Sequence, residues 1–350
     1  MRFTPNALTA LVFTLSTSLL TACGGDGGDP QSTLIEEPST ETQTQAITGG
    51  AIKGPLANAT VTVYGFDSSQ AGFKGAVIAT GVTDASAAIT GLNLPEPLTP
   101  PYIMEFTSTP GSTSDITTGV FPFIPTLSTV LTQALIDTGE PVYATPLTSL
   151  AVDVAINSST DSTTATEFLV SLAVAATQVV ETVGFGMSTS IDIFATPPLV
   201  NEATDTTAEL SDVLAYRTAI EALAAVTFQM QQDASTTSDV VAIISELAKD
   251  LSDGVIDASV NGVSSTVYNN TTLIQLTQDP TGLTIPNTTD TVADVSSILV
   301  DETRLTGSTT TTTELSDGSI TVTITSASTT TSTGVAVWDA FNWDDGSAWQ

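Results

Sequence analysis

The sequence predicts a multidomain α+β chain: an N-terminal β-sandwich, a middle helical bundle and a β-rich C-terminal segment. Three observations carry that expectation. Apolar residues alternate with period two over residues 47–125, recur nearer period 3.6 over 126–256, and give way to Thr-rich alternation over 257–350. These are the repeats that bury one face of a strand or one stripe of a helix.

Ahead of the folded part, Met1-Arg2 leads into an apolar stretch from Ala7 to Leu20, broken by Thr9, Thr14, Ser16, Thr17 and Ser18. It is too short and too interrupted to span a bilayer, and reads as the apolar region of a signal peptide covering residues 1–22. The stretch closes on Leu20-Thr21-Ala22-Cys23, and Cys23 is the only cysteine. This ending resembles the lipobox of bacterial lipoprotein signal peptides. The resemblance implies cleavage before Cys23, a diacylglyceryl group on its sulfur and an acyl chain such as palmitate on its freed amine. Each buried methylene adds about 0.8 kcal/mol, so several chains make a stable anchor where one does not. The expected partner at this end is the membrane, reached through lipidated Cys23. In such lipoproteins Asp after the cysteine favours inner-membrane retention; Gly24 stands there, which points to the outer membrane of a bacterial cell envelope.

Residues 23–46 continue from Gly24-Gly25-Asp26-Gly27-Gly28-Asp29 through Glu36-Glu37-Pro38 into a Thr- and Gln-rich run with no basic residue. Lacking apolar periodicity, they read as a flexible tether.

The charge is one-sided: 38 acidic residues against 6 basic ones, with no histidine. After cleavage the cations are Lys53, Lys74, Arg217, Lys249 and Arg304, scattered along the chain. Nucleic acid binding requires clustered Lys and Arg, so nucleic acid is excluded as a partner. Without histidine there is no Ser-His-Asp or Cys-His relay and no histidine-containing zinc site. With Cys23 committed to lipid, thiolate chemistry goes as well. Carboxylate chemistry survives, as a glycosidase-like acid pair or calcium held by oxygens, but no motif supports either. Glu36-Glu37 and Asp344-Asp345 read as solvated charge. The expectation is a non-enzyme with no cofactor and no metal.

Over residues 47–125 the strands are Ala59-Thr60-Val61-Thr62-Val63-Tyr64, Val77 to Val82, and Tyr102-Ile103-Met104-Glu105-Phe106, separated by turns at Gly54-Pro55, Gly72, Gly75 and Thr83-Asp84-Ala85. The run Lys53-Gly54-Pro55-Leu56-Ala57-Asn58-Ala59-Thr60-Val61-Thr62-Val63-Tyr64, followed by Gly81-Val82-Thr83-Asp84, resembles the opening of carboxypeptidase-regulatory-like, transthyretin-like β-sandwich modules. That family usually has Thr-Asp-x-x-Gly at the later turn, where this chain has Thr83-Asp84-Ala85-Ser86-Ala87. The resemblance implies a structural or binding module and transfers no catalytic residue.

Helix signals then follow. Thr145-Pro146-Leu147 supplies a capping hydroxyl and a proline at the first turn. Thr164-Ala165-Thr166-Glu167 and Thr206-Thr207-Ala208-Glu209 have capping-box spacing, in which hydroxyl and carboxylate bond amides that the first turn leaves unpaired. The second of these three helices sets Phe168, Leu172, Val179, Val180 and Val183 on one side and stops at Gly184. The third carries Leu210, Val213, Leu214, Ile220 and Leu223, and another runs from Ser238 to Gly254. Small, branched stripes such as these pack a core or leave room for an apolar guest.

In the last part, Thr309 to Thr313, Leu315, a turn at Asp317-Gly318, and Ile320 to Thr325 form the pattern of a hairpin. All three tryptophans fall near the end, and Trp338, Phe341, Trp343 and Trp349 are the candidate binding residues, able to stack on a ligand or anchor a protein contact. The bland reading is that they close the core. Three function classes follow: a binding or adhesion module with an envelope protein partner; an accessory for uptake of apolar compounds such as hydrocarbons, fatty acids or lipids; and a carboxylate hydrolase with two acids facing across a cleft.

Overall fold

In strand Thr60–Phe66 the first half alternates, with Val61 and Val63 wholly buried between less buried neighbours. A strand of this kind needs partners on both edges. A computed structural model describes residues 43–327, apart from 203, 233–238, 261, 269–272, 274–276 and 307–311. In it, Thr60–Phe66 is the middle of a five-stranded antiparallel sheet ordered Thr126–Leu131, Tyr102–Thr107, Thr60–Phe66, Lys74–Thr83, Ile89–Thr90. The first three strands in sequence are joined as neighbours and the fourth returns beside the first, which is a Greek-key connection. Val61 lies opposite Gly81 on one side and Phe106 on the other. The remaining strands are short pairs, among them the parallel Gly49–Ala51 with Val142–Ala144, and Leu56–Ala57 with Ser114–Asp115.

The turn that lacks its glycine is built all the same. Asp84 Oδ1 accepts the amides of Ser86 and Ala88 at 2.8 and 3.1 Å, and Ala87 sits at φ +65°. A left-handed alanine is strained by its Cβ, so the chain holds here a conformation that glycine adopts freely.

Residues 126–131, read from the sequence as part of the helical segment, instead complete the sheet. Their outer edge is covered: the Ser128 amide donates to Ser149 Oγ at 2.8 Å and Thr148 Oγ1 donates to the Ser128 carbonyl at 2.8 Å. Both hydroxyls belong to a helix packed on this strand, so the edge is closed to further pairing.

The helices are α1 (Gln133–Thr138), α2 (Pro146–Asn157), α3 (Ala165–Val183), α4 (Thr207–Gln232), α5 (Val240–Leu251), α6 (Val295–Thr306) and α7 (Thr313–Ser316). The expected caps form. Thr164 Oγ1 accepts from the Glu167 amide at 3.3 Å while Glu167 Oε2 accepts from the Thr164 amide at 2.8 Å, and Thr206 with Glu209 repeats the exchange at 3.2 and 2.9 Å. Thr145 caps α2 in a box closed by Thr148. Helix α5 starts on Asp239, whose side chain accepts from Ala242.

The C-terminal expectation is corrected. Val295–Thr306 is helical, because Val295, Ile298 and Leu299 recur at helical spacing and the Thr291 amide and hydroxyl both donate to Asp294 Oδ2 at 2.8 Å just ahead of it. No hairpin joins Leu315 to Ile320–Thr325 among the described residues: Thr313–Ser316 is a helical turn and residues 321–327 pair in no strand. Thr-rich alternation meets a strand's side-chain pattern but supplies too little apolar surface to hold one. Mixed helix and strand nevertheless characterises the described residues, and one buried core runs from the sheet through α2 into the helices.

Candidate functional site

The apolar stripe of α3 is only partly used by the core. Phe168, Leu172 and Val179 are buried, while Leu169 and Ala176 on the groove side are only half-buried. On one flank of this helix a groove of about 510 Å³ opens between α3, α1 and the loop Thr189–Ala195, lined by Leu169, Leu172, Ala176 and Val180 from α3, Leu135 from α1, and Ile193 from the loop. The volume falls in the range of small-molecule sites. Glycine ends α1: Gly139 caps it at φ +68°, and the next residue, Glu140, also lines the groove.

The loop wall is anchored from beneath. Asp192 Oδ1 accepts from the Phe194 amide at 2.9 Å and the Asp192 carbonyl from Thr196 at 2.8 Å, closing a tight turn. The carbonyl of Ile193 accepts from the Tyr216 hydroxyl at 2.8 Å, and that hydroxyl also lies 3.0 Å from Thr145 Oγ1, the cap of α2. Tyr216 is wholly buried, which raises its pKa. One phenol thus ties the groove loop to α4 and α2.

A second constellation is ionic and buried. Lys53 Nζ is 2.9 Å from Glu221 Oε2; Arg217 Nε donates to Glu221 Oε1 at 3.0 Å; and the two ends of the Arg217 fork donate to Glu302 Oε2 and Oε1 at 2.7 and 2.6 Å. Thr117 Oγ1 donates to Glu302 Oε1 at 2.7 Å. Asp115 completes the group, its Oδ1 accepting the Thr117 amide at 2.9 Å. None of the five charged residues is more than 4% exposed. Burial pushes the Asp115 carboxyl up to about 6; Lys53 and Arg217 oppose the rise, and Glu221 and Glu302 reinforce it. Gly54, at φ +82°, permits the approach, for a Cβ there would lie 2.2 Å from Asp115 Oδ2. The void at this cluster is about 10 Å³, the space of a single water, so no substrate fits between these acids.

Two other carboxylates are embedded. Asp153 on α2 is pushed up to about 6 by burial, against Lys74 and reinforced by Glu105, which themselves form an ion pair. Asp250 at the end of α5 accepts the amides of Asp257, Ala258 and Ser259 and the Tyr268 hydroxyl, the last at 2.6 Å, and so holds the following loop. Among the described residues no cluster of acids is arranged to hold a metal ion.

No family model, curated protein or solved structure matches this chain. Of the residues singled out in the sequence, Cys23, Trp338, Phe341, Trp343 and Trp349 all lie outside the described residues. Of the cations that look scattered along the chain, Lys53 and Arg217 converge on Glu221. One signal for this was present: Arg217 and Glu221 stand at i,i+4 within the otherwise apolar run Val213–Val226, a place where an unpaired charge is prohibitive.

Proposed function

We propose that this chain is a non-enzymatic binding protein of a bacterial cell envelope, lipid-anchored through Cys23, whose folded part holds a small apolar ligand in the groove between α1, α3 and the loop Thr189–Ala195. The observation that carries this reading is the groove itself: about 510 Å³, walled by Leu, Val, Ile and Ala side chains and backed by the Tyr216 tether. Such a site suits an accessory for uptake of hydrocarbons, fatty acids or other lipids. The buried acids around Arg217 enclose only a water-sized void and offer no second ligand site.

In this reading the sheet, with Thr126–Leu131 as its last strand, is a transthyretin-like structural module, residues 132–195 carry the ligand groove, and the anchor with its 23–46 tether keeps the groove near the outer membrane. The adhesion alternative rests on Trp338, Phe341, Trp343 and Trp349 and would be recognised by loss of partner attachment in Trp343→Ala.

The direct test is titration of the purified protein with the neutral apolar dye N-phenyl-1-naphthylamine. Saturable binding that Ala176→Trp abolishes by filling the groove is the expected result; no saturable binding would end the proposal. Mass spectrometry of the native protein tests the anchor, which fails if Met1 is retained or the Cys23 sulfur is unmodified.

A further inference from the structure

We infer that the groove selects single-chain amphiphiles with a cationic head over those with a carboxylate head, an inference that rests on the ligand-groove reading above. Two observations carry it, one in the lining of the groove and one across the described residues.

At the groove, the charged residues are Glu140, just beyond α1, and Asp192, in the loop; among the described residues no Lys or Arg lines it. The two acids come from different walls and both are exposed, so the charge that a head group in the groove meets is negative. The hydroxyls of Thr138, Thr177 and Ser190 also line the groove and can accept from an ammonium.

Elsewhere, every described cation is already engaged. Lys53 and Arg217 are buried with Glu221 and Glu302; Lys74 pairs with Glu105, Lys249 with Glu246 and Arg304 with Asp301. Since no described cation lines the groove, a carboxylate head would meet no counter-charge there while adding to a net charge of −32. An ammonium head relieves that repulsion at the two acids nearest to it. Both acids are screened by water and salt, so the expected discrimination is modest, about tenfold between opposite head charges on the same chain.

The experiment displaces N-phenyl-1-naphthylamine from the purified protein with dodecylamine, dodecanol and dodecanoate, each below its micelle concentration, in wild type, in Glu140→Gln/Asp192→Asn and in Ala176→Trp. Dodecylamine about tenfold tighter than dodecanoate, with the gap closing in the Gln/Asn variant, supports the inference. Equal affinity of the three, all lost in Ala176→Trp, overturns it and leaves the groove as a ligand site. A dodecylamine preference that survives in the Gln/Asn variant reports general attraction to an acidic protein and also overturns it. Displacement by none of them, with no effect of Ala176→Trp on dye binding, overturns the groove reading itself.

Discussion

Arg217 and Glu302 stand 85 residues apart in the chain and meet face to face, two parallel hydrogen bonds of 2.7 and 2.6 Å joining the guanidinium to the carboxylate in a site of 1–2% exposure. The pair fastens α6 to α4, and Glu221 passes the connection on to Lys53 beside the sheet.

Breaking this pair from one side strands a buried charge. Glu302→Ala is expected to destabilise the protein by about 3–5 kcal/mol, whereas Arg217→Met combined with Glu302→Leu, which removes both charges and keeps volume, should be far milder than either single change suggests. Urea denaturation of the two singles and the double closes the cycle. Strictly additive effects would mean the two groups do not depend on each other.

Asp115 makes stability depend on pH in an unusual direction. Its folded-state pKa is raised, from 3.8 to about 6, so the folded protein holds this proton more tightly than the unfolded chain. Its contribution is therefore unfavourable above about pH 6 and disappears as the pH falls below about 4, the reverse of a salt-bridged carboxylate. Asp115→Asn, which can still accept the Thr117 amide, should raise stability at pH 8 by about 2–3 kcal/mol and change nothing at pH 3.5. A benefit equal at both pH values would show that the carboxyl is not the titrating group.

The groove loop should loosen without its tether. Tyr216→Phe leaves the Ile193 carbonyl and Thr145 hydroxyl short of a partner, at about 1–2 kcal/mol of stability. Dye affinity should fall severalfold even under conditions where the variant is fully folded by circular dichroism. Unchanged affinity would separate Tyr216 from the groove.

Two backbone positions should respond in opposite directions to a change at Cβ. Ala87, held at φ +65°, should be relieved by Ala87→Gly, raising stability by up to about 1 kcal/mol after the lost methyl burial is counted. Gly54→Ala adds a Cβ 2.2 Å from the Asp115 carboxylate and should destabilise severely, while Gly91→Ala, at φ +70° with open space around it, carries the backbone penalty of about 1–2 kcal/mol alone. Thermal melts of the three variants rank them, and Gly54→Ala no worse than Gly91→Ala would remove the close approach from the account.

Much of the local structure was legible because it rests on neighbours in the chain. The Thr164–Glu167 and Thr206–Glu209 boxes are set by residues three apart, and the Val61, Val63 alternation by residues two apart. What escaped was structure decided by distant partners. Leu127, Val130 and Leu131 alternate imperfectly, and only pairing with Tyr102–Thr107 makes them a strand. The run Val295–Leu299 is short, but packing against α4 and the Arg217–Glu302 pair draw it into a helix. The groove was open in the sequence as one alternative among small-residue stripes, while of the charged cluster only Arg217 and Glu221 share a helical spacing and Lys53, Asp115 and Glu302 share none.

By itself, then, the sequence determined the capped helices, the central strands, the excess of acids over bases and the absence of histidine chemistry, since each depends on composition or on contacts within a few residues. Tertiary structure alone decided that two of the cations would be buried on the same glutamate, that a phenol would hold up one wall of an apolar groove, and that the charged residues lining the groove among the described ones would be acids. Those are matters of which surfaces remain after the core has closed, and removal from water, rather than order along the chain, sets their energies.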